Sequence, residues 1–210
     1  MKTKIRWLLG TAVVTLAVVS GLTIGPRLVH GQADHVRWDI ISVQFTTPLT
    51  ISPGGVAFAS AISGNTPSGL KIKLTGSGTF VAPASGGTSG AVTGGGTWET
   101  FSGCPSACVS IVSGTYEVTK LASWEFANFQ TGSSIDLIGD TNERANGTAV
   151  FLIDYLDGSQ GTLGVGCHGS GAPAGIQEGI IATKGFVTYW TGEVPTGGVD
   201  KNRTIFHVRR

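Results

Sequence analysis

Charge is what this sequence has least of. Asp, Glu, Lys and Arg together make up 13% of its 210 residues, about half the share of an average soluble domain. Sparse, scattered charge excludes the basic stripe that nucleic-acid binding requires. Cysteine is scarce at three residues and methionine rarer at one, so a multiply stapled disulfide scaffold is excluded. After residue 33 no apolar stripe recurs at i, i+3, i+4 and i+7, which removes helix bundles and βαβ repeats. No later run approaches the length that spans a bilayer. A constellation of nucleophile, base and acid is missing too. Gly94-Gly95-Gly96 is not a phosphate loop, because neither a lysine nor a helix follows it.

Glycine is abundant instead, at 33 residues. Three Gly-Thr-aromatic triplets, Gly78-Thr79-Phe80, Gly96-Thr97-Trp98 and Gly114-Thr115-Tyr116, recur at equal intervals of 18. The midpoints, Gly87 and Pro105, fall in turn sequences, so the triplets mark three consecutive strands of an antiparallel meander. Hairpins symmetric about those midpoints place Phe80 opposite Gly94, Trp98 opposite Gly76 and Tyr116 opposite Gly94, so that each ring covers bare backbone. The even parity (Leu70, Ile72, Leu74, Phe80, Trp98, Tyr116, Val118, Trp124, Phe126) is the core face.

Elsewhere period-two patterning continues. Val36, Trp38 and Ile40 share one face, then the apolar parity shifts to Ile41, Val43 and Phe45, which implies a bulge or a strand passing between two packing surfaces. Val56–Ile62 is a second strand, and residues 133–147 form a solvated polar loop with Asp136, Asp140, Asn142, Glu143 and Asn146, whose spacing does not match a calcium loop. Thr148–Tyr155 is apolar on both faces, as in a strand covered on both sides. Strands at Gly161–His168, Ile176–Thr183, Phe186–Thr191 and Arg203–Val208 bring the total to about eight to ten. The fold class is all-β, an antiparallel meander forming a single small barrel or sandwich over residues 34–210.

Residues 1–33 form a different unit. Lys2, Lys4 and Arg6 precede an apolar run from Trp7 to Ile24, and Gly31-Gln32-Ala33 supplies small residues for cleavage. This order is that of a signal peptide, with an uncleaved anchor as the alternative because the apolar run is long. Removing the segment leaves ten basic against thirteen acidic residues, a net charge of −3. The terminal cluster Lys201, Arg203, Arg209 and Arg210 is expected to be a solvated tail.

Candidate chemistry is thin. Export favours a Cys104–Cys108 disulfide stapling a turn, with Cys167 a free buried thiol; a metal set of Cys104, Cys108, Cys167 and His168 fits no common zinc spacing. Adjacent strand residues point to opposite faces, so Cys167 and His168 are not a nucleophile and its base. His35 and His207 become neighbours if the terminal strands pair. Asp39, Glu99 and Glu125 each follow a tryptophan and lie in water when the ring side is the core; an inverted barrel would gather them with Glu117 inside as acid catalysts. Phe80, Trp98, Tyr116, Trp124 and Phe126 are the candidate ligand-binding residues, since they either fill the interior or line an apolar cavity.

The Gly161–His168 stretch and the Glu178–Trp190 run, with the triplets, resemble small exported bacterial β-proteins of unknown function. The likeness spans most of residues 34–210, implies export and a β-fold, and supplies no site. In architecture alone the meander is similar to lipocalin-like and allene-oxide-cyclase-like barrels, which implies no activity. The expected function is a secreted or surface-exposed, non-catalytic domain of the cell envelope with a structural or binding role. The alternatives are a carrier of a small apolar ligand and an extracellular enzyme using interior carboxylates. Its partner is then a small apolar ligand or a cell-surface component, without nucleic acid, cofactor or metal, and with membrane contact through the leader alone. N-terminal sequencing of exported protein should find a chain beginning near Asp34; recovery only as the intact chain in the membrane would establish the anchor instead.

Overall fold

The computed structural model describes residues 33–64, 66–82, 90–193 and 202–210. The leader, apart from Ala33, and the apex at Gly87 lie outside the described residues. Fourteen strands follow in chain order: β1 (Asp34–Gln44), β2 (Thr50–Pro53), β3 (Ala57–Ser63), β4 (Thr66–Leu74), β5 (Ser77–Ala82), β6 (Val92–Ser102) and β7 (Val109–Phe129), then β8 (Ile135–Asp136), β9 (Arg144–Tyr155), β10 (Gln160–Cys167), β11 (Gly179–Lys184), β12 (Val187–Tyr189), β13 (Thr191–Gly192) and β14 (Arg203–Arg209). A single 3-10 turn, Thr141–Glu143, is the only helical element among the described residues.

Six strands close a barrel in the order β1, β5, β6, β7, β9, β14 and back to β1, every pair antiparallel. The meander is β5, β6 and β7, as the triplets indicate. Further strands extend the wall: β4 continues the line of β5 along β6, with β3 and β13 beyond it, while β10, β11 and β12 extend from β9. What reads as one strand from Leu70 to Phe80 is therefore two, broken at Thr75-Gly76 so that the chain can turn from one end of the barrel wall to the other.

The register differs from the symmetric-hairpin expectation by two residues. Gly78 faces Gly94 and Phe80 faces Val92, while Gly96 faces Tyr116 and Trp98 faces Gly114. A slip of one residue would turn every ring to solvent, whereas a slip of two leaves each on its own face. Parity is thus as expected although the partners are not. The Thr148–Tyr155 segment also departs from expectation: among the described residues no element covers its second face, where Leu152 is 40% exposed.

Rings fill the interior. Trp38, Phe80, Trp98, Tyr116, Trp124, Phe151, Tyr155 and Phe206 are all buried. They touch in sequence, with Trp38–Phe151 centroids 5.1 Å apart, Phe80–Phe151 5.7 Å, Phe80–Trp124 5.3 Å and Trp124–Phe206 4.7 Å; such pairs add about 0.5–1.5 kcal/mol each beyond their burial. Six strands make a narrower barrel than the eight whose interior side chains just fill, so rings of this size need room taken from the wall. Glycines supply it. A Cβ on Gly78 would stand 2.8 Å from Trp38 Nε1, one on Gly114 3.0 Å from Trp98 Nε1, one on Gly147 3.1 Å from Trp124 and one on Gly161 3.0 Å from Tyr155.

β1 passes between two packing surfaces, as its change of parity implies. Val36, Trp38 and Ile40 belong to the main core, and Ile41 and Val43 to a second cluster with Ile51 and Ile205 on the outer side. No bulge is needed, since the pairing with β14 runs unbroken from His35↔Arg209 to Ile41↔Arg203. On its other edge β1 exchanges β5 for β2 near Ile40, and that change of partner coincides with the change of face.

Replacing Gly94 by Val should destabilise the fold by at least about 1–3 kcal/mol. The reason is backbone rather than flanking rings: a Cβ there would lie 2.5 Å from Ser77 O and 2.8 Å from Gly78 Cα, at a φ of +128°. Gly90→Ala, with nothing within 4 Å of its Cβ, should stay within about 0.5 kcal/mol of wild type. Denaturant midpoints of the two variants check both expectations.

Candidate functional site

The structure places four of the five candidate aromatics, Phe80, Trp98, Tyr116 and Trp124, in the packed core. Trp98 Nε1 donates to Thr115 O at 3.1 Å and Tyr116 Oη to Thr75 O at 2.9 Å, so their polar tips are tied to the wall. Phe126 is half-buried against Phe129 at one end, where the Arg210 guanidinium lies 4.6 Å from its centroid. At the other end Lys184 Nζ sits 4.1 Å from the Trp98 ring and pairs with Asp157, which this pairing lowers to a pKa of about 2.

The inverted arrangement of carboxylates does not occur. Glu117 and Glu125 are exposed, and Glu99 pairs with Lys73 on the outer surface. The rings hold the interior, and alternation along each strand sends the neighbouring acids outward. Asp39 is buried, but on the outer face of β1, where it accepts two bonds from Arg37 at 2.7 and 2.8 Å. Burial raises its pKa against the pull of those bonds.

Cys104 and Cys108 form a disulfide with Cα atoms 4.5 Å apart, which removes both from any metal set, and Cys167 is a buried free thiol accepting from Gln130 Nε2 at 3.1 Å. Burial raises the Cys167 thiol well above its ordinary range, the opposite of an activated nucleophile. His168 is exposed on the other face. The terminal strands do pair, but His35 faces Arg209 and His207 faces Arg37.

The 133–147 segment is not a simple solvated loop. The Asp136 carboxylate is buried and its Oδ2 meets His207 Nε2 at 2.9 Å, while its Oδ1 accepts from Ile138 N at 2.9 Å and Gly139 N at 3.1 Å. Arg144 and Asn146 are buried within β9. Of its polar side chains, Asp136 ties the stretch to β14, Arg144 bonds within it and to the adjoining Gly132, and Asn146 bonds Asn128 on β7 and the backbone of Gly169 and Ser170.

Beside that tie lies an open cleft of about 420 Å³. Ile41, Val43, Phe45, Leu49, Ile51 and Ile205 form an apolar wall, and Thr131, Ser133, Ser134 and Ser170 line the opposite rim. Between them stand Arg144, Arg203 and Glu178. Arg144 donates to Thr141 O at 3.1 Å, Gly132 O at 2.9 Å and Ser134 Oγ, all neutral oxygens. Arg203 has its Cζ 5.7 Å from the Phe45 centroid, and among the described residues its buried Nε has no partner. It is therefore not part of a solvated tail, which corrects the reading of the terminal basic cluster; Lys201 lies outside the described residues. Glu178 accepts from Thr204 N at 2.7 Å and from His168 N.

Two signals in the sequence point to this face: the shift of apolar parity to Ile41, Val43 and Phe45, and alternation along Arg203-Thr204-Ile205-Phe206-His207, which sets Arg203 and His207 on the side opposite Phe206. No family model matches the chain, and no curated protein or solved structure matches it either.

Burial is the main cause that holds the Glu178 carboxyl above its ordinary 4.5, against backbone bonds from His168 and Thr204 and the nearby charges of Arg203 and His168. The folded chain thus binds this proton more tightly than the unfolded chain. The stability contributed by Glu178 is complete below pH 4.5 and is lost as pH rises through the raised value. Urea midpoints measured from about pH 4 to about pH 8 should fall with rising pH in wild type and fall less in Glu178→Gln. Asp39, raised from 3.8 by burial, adds slope of the same sign, while Glu99 and Asp157, held low by their lysines, add slope of the opposite sign at the acid end of the range.

Proposed function

We propose that this protein is an exported, non-catalytic binding domain whose ligand site is the cleft outside the barrel. One observation carries the reading: the interior is occupied by contacting rings, while the cleft joins an apolar wall to polar groups that have binding capacity left. A volume of about 420 Å³ lies within the range of small-molecule sites, and a few placed polar groups on a mostly apolar wall is their usual composition. The leader order of basic, apolar and small residues supports export. The carrier alternative needs space that Trp38, Phe80 and Phe151 occupy, and the enzyme alternative needs interior carboxylates where Glu99, Glu117 and Glu125 point outward.

Titration with a neutral hydrophobic fluorophore tests the location. Among the described residues no tryptophan lines the cleft; Trp38, Trp98 and Trp124 lie in the core, and the exposed Trp190, beside His168 and Glu178, is replaced by Phe for the titration. Saturable one-to-one binding should leave tryptophan emission unchanged and weaken about tenfold, or about 1.4 kcal/mol, in Phe45→Ser. Quenching of tryptophan with unaltered affinity in Phe45→Ser would place the ligand inside the barrel and support the carrier.

A further inference from the structure

We infer that the cleft recognises small amphipathic anions, with the anionic head at Arg203 and the apolar tail along Val43, Leu49 and Ile51; this rests on the cleft being the binding site. The charge around it is unbalanced. Arg144 and Arg203 bring two guanidinium groups, and among the described residues no carboxylate comes within ion-pair distance of either. Among the described residues Glu178 is the only acid lining the cleft, and its oxygens are already engaged by the backbone N–H groups of His168 and Thr204.

The two arginines differ in what they have left to give. Arg144 spends its donors on Gly132 O, Thr141 O and Ser134 Oγ, which fixes the rim of the cleft. Arg203 makes no such bonds among the described residues: its buried Nε is unpartnered, its Cζ lies 5.7 Å from the Phe45 centroid, and Glu178 is a nearby charge but not an ion-pair partner. A buried guanidinium donor without an acceptor is costly, and a carboxylate or sulfate is the acceptor whose geometry matches it. Arg203 also stands where the apolar wall meets the polar rim, since Ile205 follows on the same face of β14 and Ile41 pairs with Arg203 across the β1–β14 ladder. A ligand with its charge at one end and a hydrocarbon body satisfies both halves at once. A neutral body leaves the guanidinium unpaired, and a cationic head meets like charge.

A matched series tests this: dodecanoate, dodecanol and dodecyltrimethylammonium, each below its aggregation limit, titrated into the chain lacking its leader. Calorimetry gives affinity, and methyl shifts of Ile41, Ile51 and Ile205 with the Arg203 Nε–Hε resonance give location. Dodecanoate should bind at least about tenfold more tightly than dodecanol, and dodecyltrimethylammonium more weakly than either. Arg203→Gln should remove the preference for the carboxylate, and Arg203→Lys should restore part of it. Equal affinity of dodecanoate and dodecanol, with shifts at the cleft methyls, would overturn anion recognition and leave the cleft as an apolar site. Shifts confined to barrel methyls, or no binding of any member, would overturn the cleft reading itself. Should Arg203→Gln fail to fold, the head-group series on the wild-type chain still decides the question.

Discussion

A ring lying flat against a glycine is the contact on which the architecture rests. A six-stranded barrel has little internal width, yet this one encloses Trp38, Trp98, Trp124 and Tyr155. Each fits because the wall beside it has no side chain, at Gly78, Gly114, Gly147 and Gly161 respectively. The glycine content that looks at first like looseness is therefore the condition for dense packing. Glycine weakens a strand when alone, and here the covering ring restores in dispersion and burial what the backbone lacks. The same arrangement leaves the barrel interior occupied by its own rings.

The sequence made the faces legible and left the partners obscure, for a physical reason. Hydrophobic alternation specifies parity, and parity survives a shift of two residues. Tyr116 could thus be assigned to the core from its neighbours, but its pairing with Gly96 depends on the lengths of bends that the pattern does not encode. The two-sided nature of β1 was readable from the step between Ile40 and Ile41, as both faces of that strand carry apolar residues. The disulfide was readable as well, being local.

The cleft was not. Its lining is drawn from β1, β2, the segment after β7, the start of β9, the end of β10 and β14, and no spacing rule links Arg144 with Arg203. Asp136 and His207 are likewise 71 residues apart. Such groups look solvated in the sequence because each stands alone among polar neighbours. The pairing of β1 with β14 forms the outer face, and the pairing of β2 with β1 and β8 brings the covering segment with Asp136 and Ile138 against it.

The barrel also has an order of assembly written into its topology. β14, the last strand in the chain, is the piece that joins β1, the first, to β9. Until it arrives, β1 presents an unpaired edge and β9 an unpaired end at Arg144-Ala145, the rest of that edge being laddered with β10; long-range closure of this kind is slow and exposed to mispairing. The seam is also asymmetric: β14 is laddered along most of β1 but meets β9 through Phe206↔Ala145 and His207↔Arg144 alone. A chain emerging from its N-terminal end therefore stays open along β1 until translation has delivered Arg203–Arg209.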